Sequence, residues 1–568
     1  ATQAMTGQGG WPMTVACTPD GRPFFAGTYF PKERRGGMIG FVELCERIEE
    51  LWHTRRDELL QQADQLTGAL GRSALIEASG DGPTVADVDR AVAGLLEASD
   101  LVHGGLGGAP KFPQPMAQEA LAAAAARGDE AALAALVTTL DHMASGGIYD
   151  HLGGGFSRYS VDGQWLVPHF EKMLYDNALL IRLYLHGWQL TGEARFRQVL
   201  TETIGYVLRD LRQPAGGVAS AEDADSEGEE GKFYVWTEAE VRSVLGDDEG
   251  LAHAALAWYG FRSGGNFEHG TTIPNRLHAV GALERPAEID AARGALFEAR
   301  AGRVRPGLDD KVLTEWNAYL VAALAEAGAA ADEPAWVAAA AEIAEFLLAN
   351  LRRADGRWLR AWQADAGAKH LAYATDHGAL VDAFTRLAEA TGEARWITEA
   401  RVVADALLDL FWDDERGGVF TTGHDAEALI ARPKDLMDNA TPGANGLAAV
   451  GLLRLAALTD STRYREAGEA VVRLLGPLAV QHPTAFGHVL AAVDLVARGT
   501  TEIVIPGDRP DLVAAVHRRF LPNAVLAWGE RYDSPLWEGR EDGRAYVCRG
   551  YTCQLPATDV ATLEAQLD

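Results

Sequence analysis

Residues 165–176 bring bases, acids and aromatic rings together within one short stretch. His169 and Glu171 could act as a general base and a general acid, the two roles that catalytic proton transfer requires. Other side chains of this stretch could stack on a sugar face or contact its hydroxyls, and they are Trp165, Lys172, Tyr175 and Asp176. A solvated helix start explains the same residues equally well, so the stretch alone leaves both interpretations open.

A second stretch, residues 308–317, places adjacent carboxylates beside a cation. Asp309 and Asp310 can shift one another's pKa and that of Lys311, which suits catalytic acids and bases. The residues of this stretch that could bind a ligand are Lys311, Trp316 and Asn317. The alternative is helix capping, because Asp is favoured at the position before a helix.

An acidic loop at residues 220–231 runs into a strand rich in aromatic residues. Asp225 is its candidate catalytic carboxylate, and Trp236 is its candidate ligand-binding ring. The pattern Asp-x-Asp-x-Glu is similar to a cation loop built from oxygen ligands, but the spacing of an EF-hand is not met. We therefore prefer a solvated acidic loop and expect no metal ion.

Further polar candidates are scattered along the chain. Asp150 and His151 precede three glycines, and Arg158 follows them. The glycines lack the Lys-Ser/Thr continuation of a phosphate loop, and we expect no cofactor. Later candidates, which helix capping or turn chemistry also explains, are Tyr373, Asp376, Asp438, Asn439 and Asn445. Of these, we retain Asp376 and Asn445 as substrate-binding residues.

Four repeated segments must position these residues, and each is an apolar helix, a polar turn and a second helix. They begin at Asn177, Asn317, His377 and Asn445. Short extended Gly-Gly pieces punctuate the helix pairs, which predicts a closed (α/α) toroid, with an open helical solenoid as the alternative. If inner helices begin at these four residues, the loops that enter them converge on one mouth of the ring.

The pattern changes at both ends of the chain. Residues 1–75 predict a β-hairpin followed by one long helix from about 40 to 66, which is a partial α/β domain. Residues 84–495 hold the helical repeats. Residues 496–568 predict a small α/β appendage of three strands and two helices. The expected fold class is therefore mainly α.

Composition excludes several classes of protein. The 568 residues carry a formal net charge of −30, which repels nucleic acid and anionic lipid. The sequence has no run of eighteen apolar residues, so we expect no membrane-spanning helix. Four cysteines are too few for a disulfide scaffold, which favours a reducing compartment and the cytoplasm. Cys548 and Cys553 could form half of a metal site, but no second Cys or His pair lies near them in sequence.

Long motifs extend over nearly the whole chain: Gly-Gln-Gly-Gly-Trp-Pro-Met-Thr-Val at 7–15, Gly-Gly-Ala-Pro-Lys-Phe-Pro at 107–113, Trp-Leu-Val-Pro-His-Phe-Glu-Lys-Met-Leu-Tyr-Asp at 165–176 and Leu-Asp-Asp-Lys-Val-Leu-Thr at 308–314. They resemble motifs of the YyaL-type, spermatogenesis-associated thioredoxin-like proteins. The resemblance implies an N-terminal thioredoxin-like domain and a six-hairpin (α/α)6 barrel, similar to those of N-acylglucosamine 2-epimerases and six-hairpin glycosidases. It also implies a Cys-x-x-Cys upstream of the point where this chain begins, so we expect no dithiol redox activity from this part.

The resemblance does not specify a reaction, because one fold serves many chemistries. Our first hypothesis is an enzyme acting on a small carbohydrate. An epimerase or isomerase would use His169 as its base, whereas a glycosidase would pair Asp309 or Asp310 with Glu171 or Asp225. The alternative is a thiol-redox-linked protein whose barrel binds a glycan or a protein, with a thiol partner only if the full N-terminus is present. A scaffold without chemistry is the third hypothesis.

Overall fold

The computed structural model describes residues 2–7, 12–73, 80, 82–246, 248–428, 430–550 and 552–567. The first elements are the helix α1 (Thr2–Thr6) and an antiparallel hairpin of β1 (Thr14–Cys17) and β2 (Pro23–Gly27). The predicted hairpin is thereby confirmed. The predicted single helix is instead two, α2 (Phe41–Thr54) and α3 (Arg56–Ser73), because the backbone leaves the helical region at Arg55. Phe24 of the hairpin packs on Leu59 and Ala63 of α3.

Among the described residues, twelve helices form an inner and an outer ring. The outer helices are α4 (Val85–Ala98), α6 (Glu130–Ser145), α8 (Ala194–Tyr206), α13 (Pro334–Asn350), α15 (Ala394–Phe411) and α17 (Thr462–Gln481). The inner helices are α5 (Pro115–Ala125), α7 (Leu174–Thr191), α12 (Thr314–Ala331), α14 (Ala374–Thr391), α16 (Ala444–Thr459) and α18 (Gly487–Arg498). Outer and inner helices alternate along the chain, which gives six hairpins.

The inner ring is closed. Each inner helix packs against the next one along the chain, and the last, α18, packs against the first, α5. Helices α7, α12 and α16 are buried on nearly all sides, as expected for apolar helices enclosed by a second layer. Ion pairs span the closure, with Arg127 bonded to Asp494 and Arg498 to Asp89, both at 2.8 Å. The fold is therefore the (α/α)6 toroid, and the open solenoid is excluded.

The inner helices all begin at one end of the ring, which we call the mouth. Short strands surround the mouth, because several of them lead directly into inner helices: β5 precedes α7, and β10 precedes α12. These strands are β3 (Tyr159–Ser160), β4 (Pro168–His169), β5 (Lys172–Met173), β6 (Ala221–Glu222), β7 (Asp225–Ser226), β8 (Glu229–Glu230), β9 (Leu308–Asp309), β10 (Val312–Leu313), β11 (Leu359–Gln363) and β12 (Gly367–Leu371). They form antiparallel sheets of two or three strands.

Three further helices are inserted between α8 and α12. They are α9 (Glu238–Leu245), α10 (Glu249–Trp258) and α11 (Ala287–Ala301), and they pack together around a small core of their own. The sequence repeat did not separate this insertion from the ring.

The C-terminal segment covers the end of the ring opposite the mouth. Its sheet has the order β14-β13-β15-β16, and its elements are β13 (Thr501–Ile505), α19 (Pro510–His517), β14 (Ala524–Trp528), β15 (Tyr546–Arg549), β16 (Thr552–Cys553) and α20 (Val560–Leu567). The three predicted strands and two predicted helices are present, and β16 is an addition. The Glu389 carboxylate of α14 accepts the backbone N–H of Leu526 at 3.1 Å and pairs with Arg454 at 2.7 Å. This buried pair joins the appendage to two inner helices.

Ion pairs also link inner helices inside the ring. Arg182 of α7 contacts Glu326 of α12 at 2.6 Å and Asp382 of α14 at 2.9 Å. Arg386 of α14 contacts the same Glu326 at 2.8 Å. A charged side chain in a low-dielectric interior is costly unless it has a partner of opposite charge. These pairs supply such partners to the charged groups inside the ring.

Candidate functional site

A cavity of about 270 Å³ lies at the mouth. It is bounded by the first turns of α5 and α7 and by the connections that precede α16 and α18. Its polar and aromatic lining residues are Phe112, Gln114, Tyr175, Asp176, Asp438, Asn439 and Thr484. None of the lining residues is a lysine, arginine or histidine. The cavity therefore combines carboxyl and amide groups with aromatic surface.

Asp176 lies in the first turn of α7 and is only 5% exposed. Burial raises the pKa of its carboxyl well above the ordinary value, and the nearby Arg158 guanidinium and Tyr175 hydroxyl only partly oppose that rise. This environment favours the protonated form of the carboxyl group. Asp176 is thus placed to donate a proton to a ligand in the cavity.

Asp438 reaches the same cavity from the connection before α16. Its two carboxylate oxygens accept the backbone N–H groups of His488 at 2.8 Å and Gly443 at 3.0 Å. Burial raises its pKa to about 6, although these hydrogen bonds favour the charged form. Near neutral pH Asp438 is therefore mostly ionised, whereas burial favours the protonated form of Asp176.

A buried ion cluster joins the first turns of α12 and α14. Asp376 accepts the backbone N–H of Glu315 at 3.0 Å and that of Tyr373 at 2.7 Å, and it pairs with Arg360 at 2.9 Å. Arg360 also contacts the Glu315 carboxylate at 3.3 Å. Burial raises the pKa of Asp376 to about 6, with Arg360 opposing the rise. Because its oxygens are engaged by these groups, Asp376 fixes the helix starts.

His169 lies at the rim, on the side of the inserted helices. Its Nδ1 is 2.7 Å from a carboxylate oxygen of Glu230, and its Nε2 is 3.7 Å from Glu171. Glu171 also pairs with Arg158 at 3.2 Å. The nearby Glu171 carboxylate raises the pKa of His169, and the hydrogen bond to Glu230 adds to this effect despite partial burial. The imidazole is therefore biased toward the protonated form, which weakens it as a base.

Comparison with known proteins identifies relatives over the whole chain. Spermatogenesis-associated protein 20 of Homo sapiens is 33% identical, with 100% of this chain and 80% of that protein covered. The protein of Rattus norvegicus is 32% identical over the same shares. The chain belongs to the spermatogenesis-associated protein 20 family. The family model Thioredox_DsbH, described as "Protein of unknown function, DUF255", matches residues 1–71 of this family member.

Solved structures of other proteins are similar to this member of the spermatogenesis-associated protein 20 family at low sequence identity. Cellobiose 2-epimerase from Spirochaeta thermophila is 14% identical, with a TM-score of 0.45 and coverage of 74% of this chain and 87% of that one. A GH76 α-mannanase from Bacteroides thetaiotaomicron is 8% identical, with a TM-score of 0.45 and coverage of 74% and 96%. Unsaturated glucuronyl hydrolase from Bacillus sp. GL1 is 11% identical, with a TM-score of 0.42 and coverage of 73% and 95%.

Several candidate residues of the first stretch lie behind the mouth of this family member. Trp165 is fully buried and donates its indole N–H to the carbonyl of His103 at 2.9 Å, so it cannot stack on a sugar. Lys172 is buried and bonded to Asp150 at 2.9 Å, and Asp150 also pairs with Arg300 at 2.8 Å. Contrary to expectation, these residues have structural roles because their polar groups are already paired.

Two more candidates are buried near the inserted helices. His151 bonds the carbonyl of Gly146 at 2.9 Å, and burial lowers its pKa to about 4, so it stays neutral. Trp236 is buried beneath the Arg303 guanidinium, which lies 3.9 Å from the ring centroid. Neither side chain lines the mouth cavity, so the structure does not bring them together with Tyr175 and Asp176.

The acidic candidates of the second and third stretches are on the surface. Asp309 and Asp310 are exposed, and Lys311 pairs with Asp309 at 2.6 Å, while Gln363 bonds Asp310 at 2.7 Å. Asp225 is exposed on β7. None of them lines the mouth cavity, so the expected pairing of these carboxylates with Glu171 across a cavity is not observed.

The repeated asparagines act as backbone clamps. The side chain of Asn317 accepts the N–H of Val218 at 2.9 Å and donates to the carbonyl of the same residue at 3.0 Å. Asn445 does the same to Val419, and Asn177 to Phe156. Each clamp fastens an extended connection to the start of an inner helix. Asn317 and Asn445 are thus structural, in contrast to their predicted role in substrate binding.

The sequence analysis did identify part of the cavity. Tyr175 and Asp176 line it, and Trp316 contacts Tyr175 with ring centroids 4.8 Å apart. Asp438 was among the further candidates that helix capping or turn chemistry also explains, and Gln114 was not singled out. The place of both residues in the sequence could have indicated them. Each lies within a few positions of the start of an inner helix, as Asp176 does.

In the described part of the chain, no group of three or more His, Cys, Asp or Glu side chains has an arrangement that could hold a metal ion. The helices of that same part include none that is long and apolar enough to cross a membrane.

Proposed function

We propose that this protein is a carbohydrate-active enzyme whose barrel mouth hydrolyses a glycosidic bond. One observation carries the proposal: Asp176 and Asp438 line a single cavity, and burial raises the pKa of both, to about 6 for Asp438 and well above the ordinary value for Asp176. Glycoside hydrolysis uses such a pair, with one carboxylic acid and one carboxylate on either side of the scissile bond.

The lining of the cavity supports a neutral sugar as the substrate class. Phe112 and Tyr175 offer aromatic surface, and Gln114 and Asn439 offer amide donors and acceptors for hydroxyl groups. None of the described lining residues is a lysine or arginine that could pair with a phosphate or uronate group. The Asp438 carboxylate would repel such an anion. At about 270 Å³, the cavity is slightly below the usual range of ligand pockets, which suits one sugar ring.

The proposed mechanism assigns one role to each carboxyl group. Asp176 gives its proton to the glycosidic oxygen as the bond to the leaving group breaks. Asp438, ionised above pH 6 or so, stabilises the positive charge that develops on the ring and then acts as a base toward water or as a nucleophile. Its bonds to His488 and Gly443 hold the carboxylate in place, which keeps it oriented without reorganisation.

Epimerisation or isomerisation is the second candidate chemistry, and it needs a base for a proton next to a carbonyl. His169 is the base that the sequence analysis offers for this step, but Glu171 and Glu230 favour its charged form. Hydrolysis therefore agrees better with the electrostatics.

We propose that the chemistry belongs to residues 84–495, with a thioredoxin-like part at 1–75 and an α/β appendage at 496–568. The scarcity of cysteines supports a cytoplasmic location for the protein. A barrel that binds a glycan or protein without catalysis, together with a thiol partner for the N-terminal part, is the competing proposal.

Proton NMR in D2O tests the proposal directly. The purified chain is incubated with a panel of neutral disaccharides, short oligosaccharides and reducing sugars. We expect a new anomeric signal from at least one oligosaccharide, and Asp176→Asn should slow its appearance by about 10²–10⁴-fold. Asp332→Asn is the matched control, because Asp332 is exposed at the opposite end of α12 in a left-handed conformation that Asn tolerates.

Other outcomes of this experiment contradict hydrolysis. Exchange of a C2 proton for deuterium without bond cleavage would establish epimerisation or isomerisation, and His169→Ala would then be the decisive variant. The absence of any change from a folded sample, with sugar binding detected by ligand-observed NMR, would favour the binding protein.

A further inference from the structure

The C-terminal sheet contains a pair of cysteines to which the sequence assigned no function. Cys548 on β15 and Cys553 on β16 face each other in the antiparallel register and are joined by a disulfide. Strand β16 has two residues and lies at the edge of the sheet. The disulfide therefore ties a short edge strand to β15.

A fixed positive charge lies beside both sulfur atoms. The guanidinium Nη2 of Arg540 is 3.1 Å from the Sγ of Cys548 and 3.1 Å from the Sγ of Cys553. Arg540 also lies over the ring of Tyr546, 4.6 Å from its centroid, which helps hold the guanidinium in place. A disulfide is uncharged and gains little from a guanidinium, whereas a thiolate is stabilised by one.

The two sulfur atoms differ in access to solvent. Cys553 is exposed, while Cys548 is only 3% exposed and packs into the main hydrophobic core. An attacking thiolate can therefore reach the Cys553 sulfur, and Cys548 is left as the leaving group beside Arg540. Leaving thiols with a low pKa depart faster, so this arrangement favours exchange.

The small number of cysteines bears on whether this disulfide is permanent or reversible. With four cysteines in 568 residues, the composition favours a reducing compartment, where a disulfide is usually transient and catalytic or redox-sensing. A permanent structural bond would be unexpected there. The position of Arg540 gives a physical reason for a reversible one.

We propose that Cys548 and Cys553 form a thiol–disulfide exchange site that reacts with the dithiol of a thioredoxin-type protein. A thiolate of that protein attacks the Cys553 sulfur, which forms a mixed disulfide and releases the Cys548 thiolate next to Arg540. The second thiolate of the partner attacks its own sulfur in the mixed disulfide and releases the Cys553 thiolate. The partner dithiol is oxidised to a disulfide, and the two released thiolates take up protons from water.

The first experiment follows the redox state of the pair in the full chain. Cys17 and Cys45 are exposed free thiols, so Cys17→Ser and Cys45→Ser are introduced to leave one pair as the reporter. The oxidised protein is mixed with a reduced thioredoxin, thiols are alkylated at intervals, and mass spectrometry counts the labels. We expect two labels per chain while the far-ultraviolet circular dichroism remains native, and their loss after oxidised glutathione is added.

The second experiment tests Arg540. Reduced protein is alkylated with iodoacetamide across a pH series, and Arg540→Gln is expected to shift the reactivity profile upward by about one pH unit, so that the rate at neutral pH falls about tenfold. Arg549→Gln is the matched control, because Arg549 lies in the same hairpin and bonds the Thr501 hydroxyl at 3.1 Å instead of a sulfur. Arg540→Lys keeps the charge and should restore most of the rate.

Each contrary result overturns a defined part of the proposal. Reduction that occurs only after urea unfolds the protein would make the bond structural, and thiols that stay reduced in oxidised glutathione would remove the disulfide altogether. An unchanged alkylation profile in Arg540→Gln, with native circular dichroism, would show that the guanidinium does not control the thiols.

Discussion

Asn317 is the residue for which the structure predicts the effect of a substitution most clearly. Its side chain bonds both backbone groups of Val218, which belongs to a buried connection, and also donates to the carbonyl of Leu313 at 3.0 Å. Asn317→Ala leaves the N–H and the C=O of Val218 without these partners. Each unsatisfied buried group costs about 1–3 kcal/mol, so the free energy of unfolding should fall by about 2–6 kcal/mol. That is a large fraction of the stability of a typical domain.

Urea denaturation followed by circular dichroism measures this change, and hydrogen exchange with mass spectrometry locates it. We expect a lower urea midpoint and faster exchange in residues 212–219, which include the clamped connection. Asn350→Ala is the matched control, because Asn350 ends α13 and its side chain bonds only the Phe346 carbonyl one turn earlier. Its effect should stay within about 0.5 kcal/mol. An Asn317→Ala midpoint equal to that of the control, with unchanged exchange at 212–219, would refute the clamp.

Three further predictions concern the site and the buried charges. The kcat/KM for a glycoside substrate should fall as the pH drops below about 6, because Asp438 must be ionised to act and gains a proton there. Initial rates that stay constant from pH 7 to pH 5 would contradict its role. Lys172→Met should lower the free energy of unfolding by about 3–5 kcal/mol, measured by urea denaturation, because it removes a buried partner of Asp150, although Arg300 retains part of the pairing. Arg454→Met should leave the buried Glu389 carboxylate poorly paired and cost a similar amount, and limited proteolysis should then cleave near residue 499; an unchanged digestion pattern would count against the docking role of this pair.

The helical ring was predictable from the sequence because residues with the same structural role recur at the same place in most of its repeats. An asparagine in the first turn of an inner helix clamps the preceding connection, and it recurs at 177, 317 and 445. The remaining repeat, the third along the chain, has His377 instead, whose Nδ1 faces the carbonyl of Tyr373 at 2.8 Å. The first and last inner helices, α5 and α18, lack this residue in the sequence repeat, so the count of six hairpins rested on resemblance.

The site was less predictable, because a motif rich in acids and bases does not reveal which of its side chains face the cavity. Lys172 and Asp176 are four residues apart, yet one is paired behind the mouth and the other lines it. Asp438 is more than 260 positions from Asp176 in sequence, so only the closed ring brings them to one cavity. The break at Arg55 was also missed, because the apolar spacing continues across it.

Closure of the inner ring affects how the protein folds during translation. Helix α5 is completed early in synthesis, but its neighbour α18 ends at residue 498, and the pairs that join this region link residues 367 and 409 positions apart. At about 5–20 residues per second, the ribosome needs roughly 20–80 s to supply the missing neighbour. During that time the side of α5 that packs against α18 has no partner in the ring. The nascent chain therefore presents an aggregation-prone surface that a chaperone would have to shield until translation is nearly finished.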